Sequence, residues 1–558
     1  MDKYGPLVPA CDNLHMEKYR GPNESFDEAA SRWAANLMDD ETHRAVLRNI
    51  YRNMRNMPAG RIQLAVGSLV NSTAFNCFVS DEILDSMESI MDNAKEAAET
   101  LRRFGGLGFD FSNIRPNGSN ISTIGSVSSG PVSFMHVYNA VCEAIKQKHR
   151  RGAMMAVLRV DHPDIEEFVR CKQNEGELTN FNISVGITDE FMNCVLNEKP
   201  FMLKWGGQNY KNINAKALWD EIMRANWDWA EPGVLFLDRI NKENNLHYCE
   251  TISATNPCGE QPLPPNGACL LHSYNLVKYV VDGKFDFESF KRDIPPIVRA
   301  IDNVIDRTIY PNEKQKKEAL LKRRMGGGVT GLANALTMCG VEYGTTEGIK
   351  LTRKIMRALT FTSYEASIEL AKEKGAFPLF EADGYLSSTF AKRLPTHIRE
   401  GIREYGIRNS HLISIAPTGT ISFCADNISG GIEPVFAHEV ERTYIAPEGP
   451  RQVLLKDYAY NYLGLKGRTT AELSIDDHIN MLLAVAPYVD SAISKTINVG
   501  DDVTFPEFCD IYIKVWKGGA KGCTTFRLAG KRYGILKAIE EDGAACFIDP
   551  ETGQKECS

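Results

Sequence analysis

The sequence lacks the two kinds of segment that direct a chain into or across a membrane. No apolar run approaches the roughly 20 positions that a membrane-spanning helix needs. The first residues, MDKYGPLVPACDNLHMEKYRG, also lack the basic and then apolar order of a signal peptide. We therefore expect a cytoplasmic protein with no membrane partner.

An excess of positive charge is also missing. The chain has 64 Lys and Arg against 72 Asp and Glu, which gives a net charge of -8. Proteins that bind the nucleic acid backbone usually present a basic surface, so we expect no nucleic acid partner. Small phosphorylated ligands are compatible with this charge, because a few local groups are enough to bind them.

The 14 cysteines include no CxxC pair. Zinc ribbons and thioredoxin-type pairs are therefore unsupported, and we expect no metal site. Without a secretion signal, reduced thiols are expected rather than a disulfide scaffold. Any redox chemistry must use cysteines that the fold brings together.

The hydrophobic pattern divides the chain into three parts. The chain has 558 residues, which suffice for three or four domains, or for one large α/β barrel with additions. Residues 1–70 predict a polar helical cap, and residues 71–540 alternate β-like runs with amphipathic helices, as an α/β sheet or barrel does. Within the second part, residues 82–150 predict two helices, the first beginning at Ile83. Residues 541–558 lose this periodicity and predict a mobile tail.

The stretch NPCGEQPLPPNGACLL contains an amide, a thiol and a carboxylate at alternate positions. An extended segment points alternate side chains to one face. Asn256, Cys258 and Glu260 are therefore predicted to form one row, which Cys269 follows. Taken alone, the pattern is more typical of a Pro/Gly loop with a buried thiol.

A second loop ends the β-like run HLISIAPTGTIS with Pro417, Thr418, Gly419, Thr420 and Ile421. Small residues and backbone N–H groups suit a phosphate. A plain turn capped by threonine is the alternative. The glycines of RRFGGLGFDF follow a helix rather than a strand, so they do not fit a dinucleotide-binding loop.

Six stretches, in order, resemble the catalytic subunit of ribonucleotide reductase, specifically the adenosylcobalamin-dependent class II enzymes. They are FNCFVSDEILDSMESI, RRGAMMAVLRVDHPDI, TNPCGEQPL, ACLLHSYNL, APTGTISFCADNISGGIEPVF and GCTTFR. The resemblance implies a ten-stranded α/β barrel of two antiparallel halves, each of five parallel strands. The NPCGE segment would form a finger loop in its centre. The implied substrate is a ribonucleotide, with a diphosphate preferred, and the implied cofactor is adenosylcobalamin.

The resemblance also implies the catalytic roles. Cys258 would become the thiyl radical that abstracts the ribose 3'-hydrogen, and Glu260 would be the base for the 3'-hydroxyl. Asn256 would hydrogen-bond the reacting ribose. Cys77 and Cys269 would deliver two electrons and a proton as the 2'-hydroxyl leaves as water, and would close a disulfide.

Further residues are implied for binding and regulation. The implied substrate-binding residues are Gly60, Asn76, Gly106, Pro417, Thr418, Gly419, Thr420 and Ile421. Asp85 and Arg115 would bind a deoxynucleotide or ATP effector at a four-helix contact of a homodimer, although these helices could instead only pack on the barrel. Cys546 and Cys557 would shuttle electrons from a thioredoxin-like reductant.

Three features depart from the family pattern. Gly60 stands where many members carry a serine or threonine, which leaves only a backbone contact there. No N-terminal ATP-cone is recognised, so overall on/off control by ATP and dATP is not expected. The segment QKHRRGA lacks the usual glycines, and no DxHxxG motif locates the cobalamin contacts.

Three alternative functions are compatible with some of the same motifs. Two of them use a different source of the radical, and the third uses no radical. A class I large subunit would receive its radical through two adjacent tyrosines, but Thr524 and Thr525 occupy that place, and only the displaced Tyr533 is near. A silent nucleotide-binding regulator would need none of the cysteines. A glycyl-radical enzyme is disfavoured because the C-terminal part lacks an RxxGY-like loop.

Overall fold

The structure is a computed structural model that describes residues 4–123, 125–145, 153–174, 176–446, 449–527, 536–538, 546–548 and 555–557. The α-helices are α1 (Pro9–Tyr19), α2 (Phe26–Leu37), α3 (Glu41–Arg52), α4 (Gly60–Ala65), α5 (Met87–Arg102), α6 (Gly130–Ile145), α7 (Ile165–Arg170), α8 (Asp189–Leu196), α9 (Ala215–Trp229), α10 (Leu237–Glu243), α11 (Phe287–Arg307), α12 (Glu313–Lys322), α13 (Leu332–Met338), α14 (Thr346–Lys374), α15 (Ala382–Ser387), α16 (Thr396–Tyr405), α17 (Gly419–Cys424), α18 (Tyr458–Leu463), α19 (Ile475–Val485) and α20 (Phe505–Lys517).

The strands are β1 (Asn56–Pro58), β2 (Cys77–Val79), β3 (Gly106–Asp110), β4 (Asn120–Ile121), β5 (Ser126–Val127), β6 (Met154–Arg159), β7 (Phe181–Ile187), β8 (Pro200–Trp205), β9 (Gln208–Asn214), β10 (Gly233–Phe236), β11 (Ala254–Thr255), β12 (Pro262–Leu263), β13 (Ala268–Cys269), β14 (Leu271–Asn275), β15 (Val280–Val281), β16 (Lys284–Phe285), β17 (Gly326–Thr330), β18 (Glu439–Ala446), β19 (Gly449–Lys456), β20 (Thr496–Val499), β21 (Gly522–Arg527), β22 (Leu536–Ala538), β23 (Cys546–Ile548) and β24 (Lys555–Cys557).

A large, mostly parallel sheet organises the first half of the fold. Strands β2, β3, β6, β7 and β10 lie side by side and run parallel. Their residues are buried and apolar, as in β6 and β7, because helices cover one face and the centre of the molecule lies on the other. The alternation of strands and helices that the sequence predicts is therefore confirmed.

The second half contributes a smaller parallel set. Strand β14 pairs with β17, and β20 pairs with β21, in both cases in parallel. Between these pairs lies the run HLISIAP, which the sequence predicts as a strand. It makes only isolated parallel bridges, between Gly327 and Ile413 and between Ile415 and Ile493.

Antiparallel pairings join the two halves at both edges. Strand β21 pairs antiparallel with β10, and β13, which immediately precedes β14, pairs antiparallel with β2. These pairings give a mixed α/β architecture with a large parallel sheet.

A short hairpin enters the space between the halves. Strands β11 and β12 form this hairpin, and residues 256–261 are its loop. A Cβ atom on Gly108 would lie 1.9 Å from the Thr255 carbonyl oxygen, so only glycine in β3 lets the hairpin approach so closely. The predicted finger loop therefore has a defined support.

The N-terminal residues form helices, as predicted, but they also supply a strand. Helix α2 begins at a capping box between Ser25 and Glu28 and buries Trp33. Strand β1 pairs with β14. The N-terminal region thus supplies one edge of the three-stranded sheet that also contains β14 and β17.

The predicted start of the first helix of residues 82–150 is wrong. Helix α5 begins at Met87, because the Ser86 hydroxyl accepts a hydrogen bond from the backbone N–H of Ser89 at 3.2 Å and caps the helix there. Ile83 is buried in the preceding segment. In the described part of the chain, no helix has the length and apolarity needed to cross a membrane.

Candidate active site

The finger loop brings three of the predicted residues together. The Asn256 side-chain amide donates to Glu260 Oε1 at 2.8 Å, and its Oδ1 accepts from the backbone N–H of Gln261 at 2.9 Å. The extended row predicted from the sequence is wrong, because the loop turns at Gly259, where φ is +80°. This left-handed conformation favours glycine, and the turn, not strand alternation, joins the amide to the carboxylate.

Burial separates the loop residues into two classes. Cys258 is exposed, whereas Asn256 and Glu260 are buried. Burial raises the pKa of the Glu260 carboxyl to about 7, although the hydrogen bond from Asn256 opposes the shift. The second carboxyl oxygen, Oε2, has no hydrogen-bond partner among the described residues. The site therefore holds a carboxyl group poised to exchange a proton near neutral pH.

Two cysteines lie opposite each other beneath the loop. Cys77 in β2 and Cys269 in β13 are direct partners in the antiparallel register. Residues in this relation have Cβ atoms about 4.5 to 5.5 Å apart, close to the separation of a disulfide. The pairing was predicted only by resemblance, and the geometry brings the two residues together.

Both thiols are held in the protonated form. Burial, followed by the nearby Glu260 carboxylate, raises the pKa of Cys77 to about 12. Burial and the same carboxylate raise the pKa of Cys269 well above its ordinary value. A hydrogen bond between Asn256 and Cys77 acts in the opposite direction. Protonated thiols can donate hydrogen, whereas thiolates cannot.

A cavity of about 530 Å³ opens above this cluster. The predicted residues that line it are Gly60, Asn76, Cys77, Gly106, Cys258, Glu260, Pro417, Thr418, Gly419, Thr420 and Ile421. Asn256 and Cys269 are fully buried behind this wall. Residues from five separate parts of the sequence thus meet at one cavity, as the motifs predict.

The 417–421 loop is held by hydrogen bonds that the sequence does not reveal. The Thr418 hydroxyl is hydrogen-bonded to the Thr330 hydroxyl at 2.9 Å and accepts from the backbone N–H of Gly431 at 2.8 Å. Thr418 therefore holds the loop in place instead of pointing its hydroxyl into the cavity. Arg442 also supports the loop, donating to the Gly419 carbonyl at 3.0 Å.

A second cavity, of about 410 Å³, lies on the other side of the finger loop. Cys258 lines it as well, together with Gly259, Thr524 and a cluster of small residues. The small lining residues include Ser491, Ala492, Ser494, Gly518, Gly519, Ala520 and Gly522. None of the motifs in the sequence predicts this cavity, and the small residues of the run KGGAKG are the local feature that indicates it.

The two predicted effector residues form an ion pair. The Arg115 guanidinium donates from Nε to Asp85 Oδ2 at 2.7 Å, and the Arg115 backbone N–H donates to Asp85 Oδ1 at 3.0 Å. Asp85 precedes α5, which packs against α6, and Tyr138 Oη of α6 donates to the Ile90 carbonyl of α5 at 2.7 Å. The described residues thus place the predicted pair beside a two-helix unit.

Four further residues named from the sequence lie at the C-terminal end. Thr525 is buried and its hydroxyl is hydrogen-bonded to the Tyr512 hydroxyl at 3.0 Å. Cys546 in β23 and Cys557 in β24 are direct partners in an antiparallel backbone pairing. Tyr533 lies outside the described residues.

Comparisons with known proteins agree with this geometry. Residues 75–526 match the family described as "Ribonucleotide reductase, barrel domain". A Mycobacterium tuberculosis (strain CDC 1551 / Oshkosh) protein named vitamin B12-dependent ribonucleoside-diphosphate reductase is 34% identical over 90% of this chain and 74% of its own length. A Thermoplasma acidophilum protein of the same name is 36% identical over 83% of this chain and 62% of its own length. The large subunit of the Vaccinia virus (strain Copenhagen) ribonucleoside-diphosphate reductase is 29% identical over 67% of this chain and 54% of its own length.

The family match spans both sets of strands, the finger loop and every described residue that lines the two cavities beside Cys258, except those N-terminal to position 75. The chain belongs to the ribonucleotide reductase family.

Proposed function

We propose that this chain reduces ribonucleoside diphosphates to 2'-deoxyribonucleotides by thiyl radical chemistry that adenosylcobalamin initiates. One observation carries the proposal: Cys258 lines both cavities, so a single thiol faces a substrate site on one side and a second site on the other. The names of the bacterial and archaeal relatives support the cofactor and the diphosphate.

The strand pairings support closure of the two halves into one ten-stranded barrel. Five parallel strands form the first half. The second half would consist of β14, β17, residues 412–416, the segment ending in β20, and β21, which are linked by parallel pairings and bridges. Antiparallel contacts at both junctions would close the ring, with the finger loop inside.

The reaction can be written with the side chains of the substrate cavity. The Cys258 sulfur radical takes the ribose 3'-hydrogen, and the Glu260 carboxylate accepts the 3'-hydroxyl proton. The 2'-hydroxyl leaves as water with a proton from one thiol of the cysteine pair, and the other thiol gives a hydrogen atom to C2'. The two sulfurs close a disulfide, whose remaining electron passes to the 3'-ketone as Glu260 returns the proton to the 3'-oxygen. Cys258 finally returns its hydrogen to C3'. Asn256 orients Glu260 through their 2.8 Å hydrogen bond.

The second cavity fits the nucleoside part of the cofactor. Glycine, alanine and serine residues leave room beside Cys258, and the Ser491 hydroxyl is buried with no partner in the described structure. A polar ligand would satisfy this hydroxyl. Asn182 fixes the neighbouring part of the finger loop by donating to the Pro257 carbonyl at 3.0 Å. When bound there, adenosylcobalamin supplies a carbon-centred radical through homolysis of its cobalt–carbon bond.

The class I alternative requires a chain of oxidisable side chains that leads to Cys258. Thr524 lines the second cavity, and its aliphatic hydroxyl cannot be oxidised as a phenol can. No tyrosine is among the described residues that line this cavity. A cofactor held beside the thiol needs no such relay.

Purified protein with adenosylcobalamin, a dithiol and a ribonucleoside diphosphate is expected to form deoxyribonucleotide with no second protein present. The measurement combines product assay with rapid-freeze EPR of the thiyl radical. A matched reaction without the cofactor is the control. Activity that appears only when a diiron or dimanganese protein is added would favour the class I alternative instead.

The pH dependence should report the ionisation of Glu260. Because burial raises the pKa of this carboxyl to about 7, the base form is lost as the pH falls through that value. The rate of a single turnover by prereduced enzyme should therefore rise about tenfold between pH 6 and pH 8. Because prereduced enzyme completes one turnover without external dithiol, the ionisation of that dithiol does not affect the pH profile. A flat profile would contradict the assignment of Glu260 as the base.

Regulation and re-reduction follow the same family pattern. Asp85 and Arg115 would bind a deoxynucleotide or ATP effector, and the exposed apolar side chains of Leu84, Met87 and Met91 support a homodimer contact beside them.

Cys546 and Cys557 would pass electrons from a thioredoxin-like protein to the pair formed by Cys77 and Cys269, and their direct backbone pairing supports a reversible disulfide.

A further inference from the structure

We propose that Lys18, in the last turn of α1, binds a phosphate group of the nucleotide substrate. This inference rests on the proposed function. It assigns a side chain outside the matched family region, since that region begins at residue 75.

Helix α1 forms one wall of the substrate cavity. Glu17, Lys18 and Tyr19 line this cavity together with the 417–421 loop, and the Glu17 carboxylate is directed to Arg451. The helix packs against α17, which begins within that loop, through an apolar cluster that includes Cys11, Leu14 and Cys424. Burial raises the pKa of the Cys424 thiol, and Lys18 is among the cations that oppose the shift, so its ammonium lies near α17.

Among the described residues, no carboxylate is ion-paired with the Lys18 ammonium, whereas the neighbouring Glu17 lies 3.9 Å from Arg451. Among the described residues that line the cavity, only Lys18 and Arg61 carry a cationic side chain that is never neutral at pH 7. The Arg61 guanidinium lies 5.3 Å from the centre of the Phe104 ring. A diphosphate therefore finds its most accessible countercharge at Lys18.

Helix α1 is fixed at both ends before any ligand binds. The backbone N–H groups of Leu7 and Val8 donate to Asp426 Oδ1 at 2.8 and 2.9 Å. At the other end, Arg32 Nη2 donates to the Tyr19 carbonyl at 3.3 Å. A preorganised cation binds a phosphate without the entropic cost of ordering its backbone.

The position of Tyr19 explains why residue 60 is glycine and why another group must contact the phosphates. A Cβ atom on Gly60 would lie 2.6 Å from Tyr19 Cε1, so the ring occupies the space that a serine or threonine side chain would need. The Thr418 hydroxyl is already engaged by Thr330. Lys18 lies on the same wall and can supply the missing side-chain contact.

The test compares binding of CDP and cytidine to wild-type protein and to Lys18→Gln by equilibrium dialysis, without cofactor. Lys18→Gln should weaken CDP binding about tenfold, the loss typical of one charge-assisted hydrogen bond, and leave cytidine binding unchanged. Lys18→Arg should retain most of the affinity. Lys316→Gln, which removes an exposed lysine on α12 that lines neither cavity, is the control for loss of one positive charge and should bind CDP like wild type.

Steady-state kinetics give a second readout in the full reaction. Lys18→Gln should raise KM for CDP with little change in kcat, because Lys18 is remote from the reacting ribose carbons in this assignment. Unchanged CDP affinity would overturn the proposal, as would an equal loss for CDP and cytidine, which indicates a structural role. The binding assay needs no cobalamin, so the two proposals can fail separately. If the wild-type protein shows no turnover, the proposed function is contradicted. A loss of CDP binding in Lys18→Gln, without a loss of cytidine binding, would still support the phosphate site.

Discussion

Replacing Cys258 with alanine should abolish deoxyribonucleotide formation. The expected loss is roughly 10⁴-fold or more, the scale reached when an enzyme loses the group that forms its covalent or radical intermediate. The EPR signal of the thiyl radical should disappear as well, because no other described thiol lines both cavities. CDP affinity should stay within about threefold of wild type, since the thiol performs chemistry and does not hold phosphate.

Two controls separate chemistry from structure in this experiment. Cys249→Ala removes another exposed thiol, away from both cavities, and should retain wild-type activity. Because Cys258 is exposed, its replacement should change the free energy of unfolding by no more than about 0.5 kcal/mol. Sustained turnover by Cys258→Ala would refute the assignment of the radical to this residue.

The second large effect is expected at the pair formed by Cys77, which lines the larger cavity, and the buried Cys269. Cys77→Ser or Cys269→Ser should lower normal product formation by at least about 100-fold, because the serine hydroxyl cannot close the disulfide that supplies two electrons and a proton. Radical formation at Cys258 should persist, because neither residue is needed to initiate it. The measurement is product assay and thiyl EPR on the same samples.

The two single variants should also resemble each other. Cys77 and Cys269 are register partners and act as one unit, so the double variant should be no less active than either single variant. Cys509→Ser is a matched control, since this thiol is likewise buried but lies in α20, outside both cavities, and its replacement should leave turnover unchanged. Normal turnover by either single variant with a small dithiol would show that the pair is misassigned.

The chemistry of the site could be predicted from the sequence because its reacting residues lie within short motifs. The NPCGE segment supplies the loop residues Asn256, Cys258 and Glu260 within five positions. The 417–421 loop is equally compact. The resemblance then places both segments in one protein, and the structure brings them to one cavity.

Features that depend on contacts between distant residues could not be predicted. The hairpin meets β3 where Gly108 approaches the Thr255 carbonyl, which is not visible in local alternation. The hydrogen bond between Thr418 and Thr330 joins residues 88 positions apart. The second cavity is likewise assembled from segments that carry no motif of their own.

The early start predicted for α5 has a different cause. Ile83 and Leu84 continue the apolar spacing of the helix, but periodicity does not mark where a helix begins. Ser86 supplies that signal, because its hydroxyl caps the first turn. The cap residue, and not the apolar spacing, therefore marks the boundary of α5.

The position of Cys258 in the walls of both cavities limits how this enzyme can be damaged or inhibited. Among the described residues, Pro257 and Cys258 of the finger loop are common to both walls, and Cys258 is the reactive one, so the finger loop separates a nucleotide analogue in the larger cavity from a ligand in the smaller one. Analogues with very different bases should therefore share one route of inactivation, and a compound that fills the smaller cavity should protect the enzyme from all of them at once.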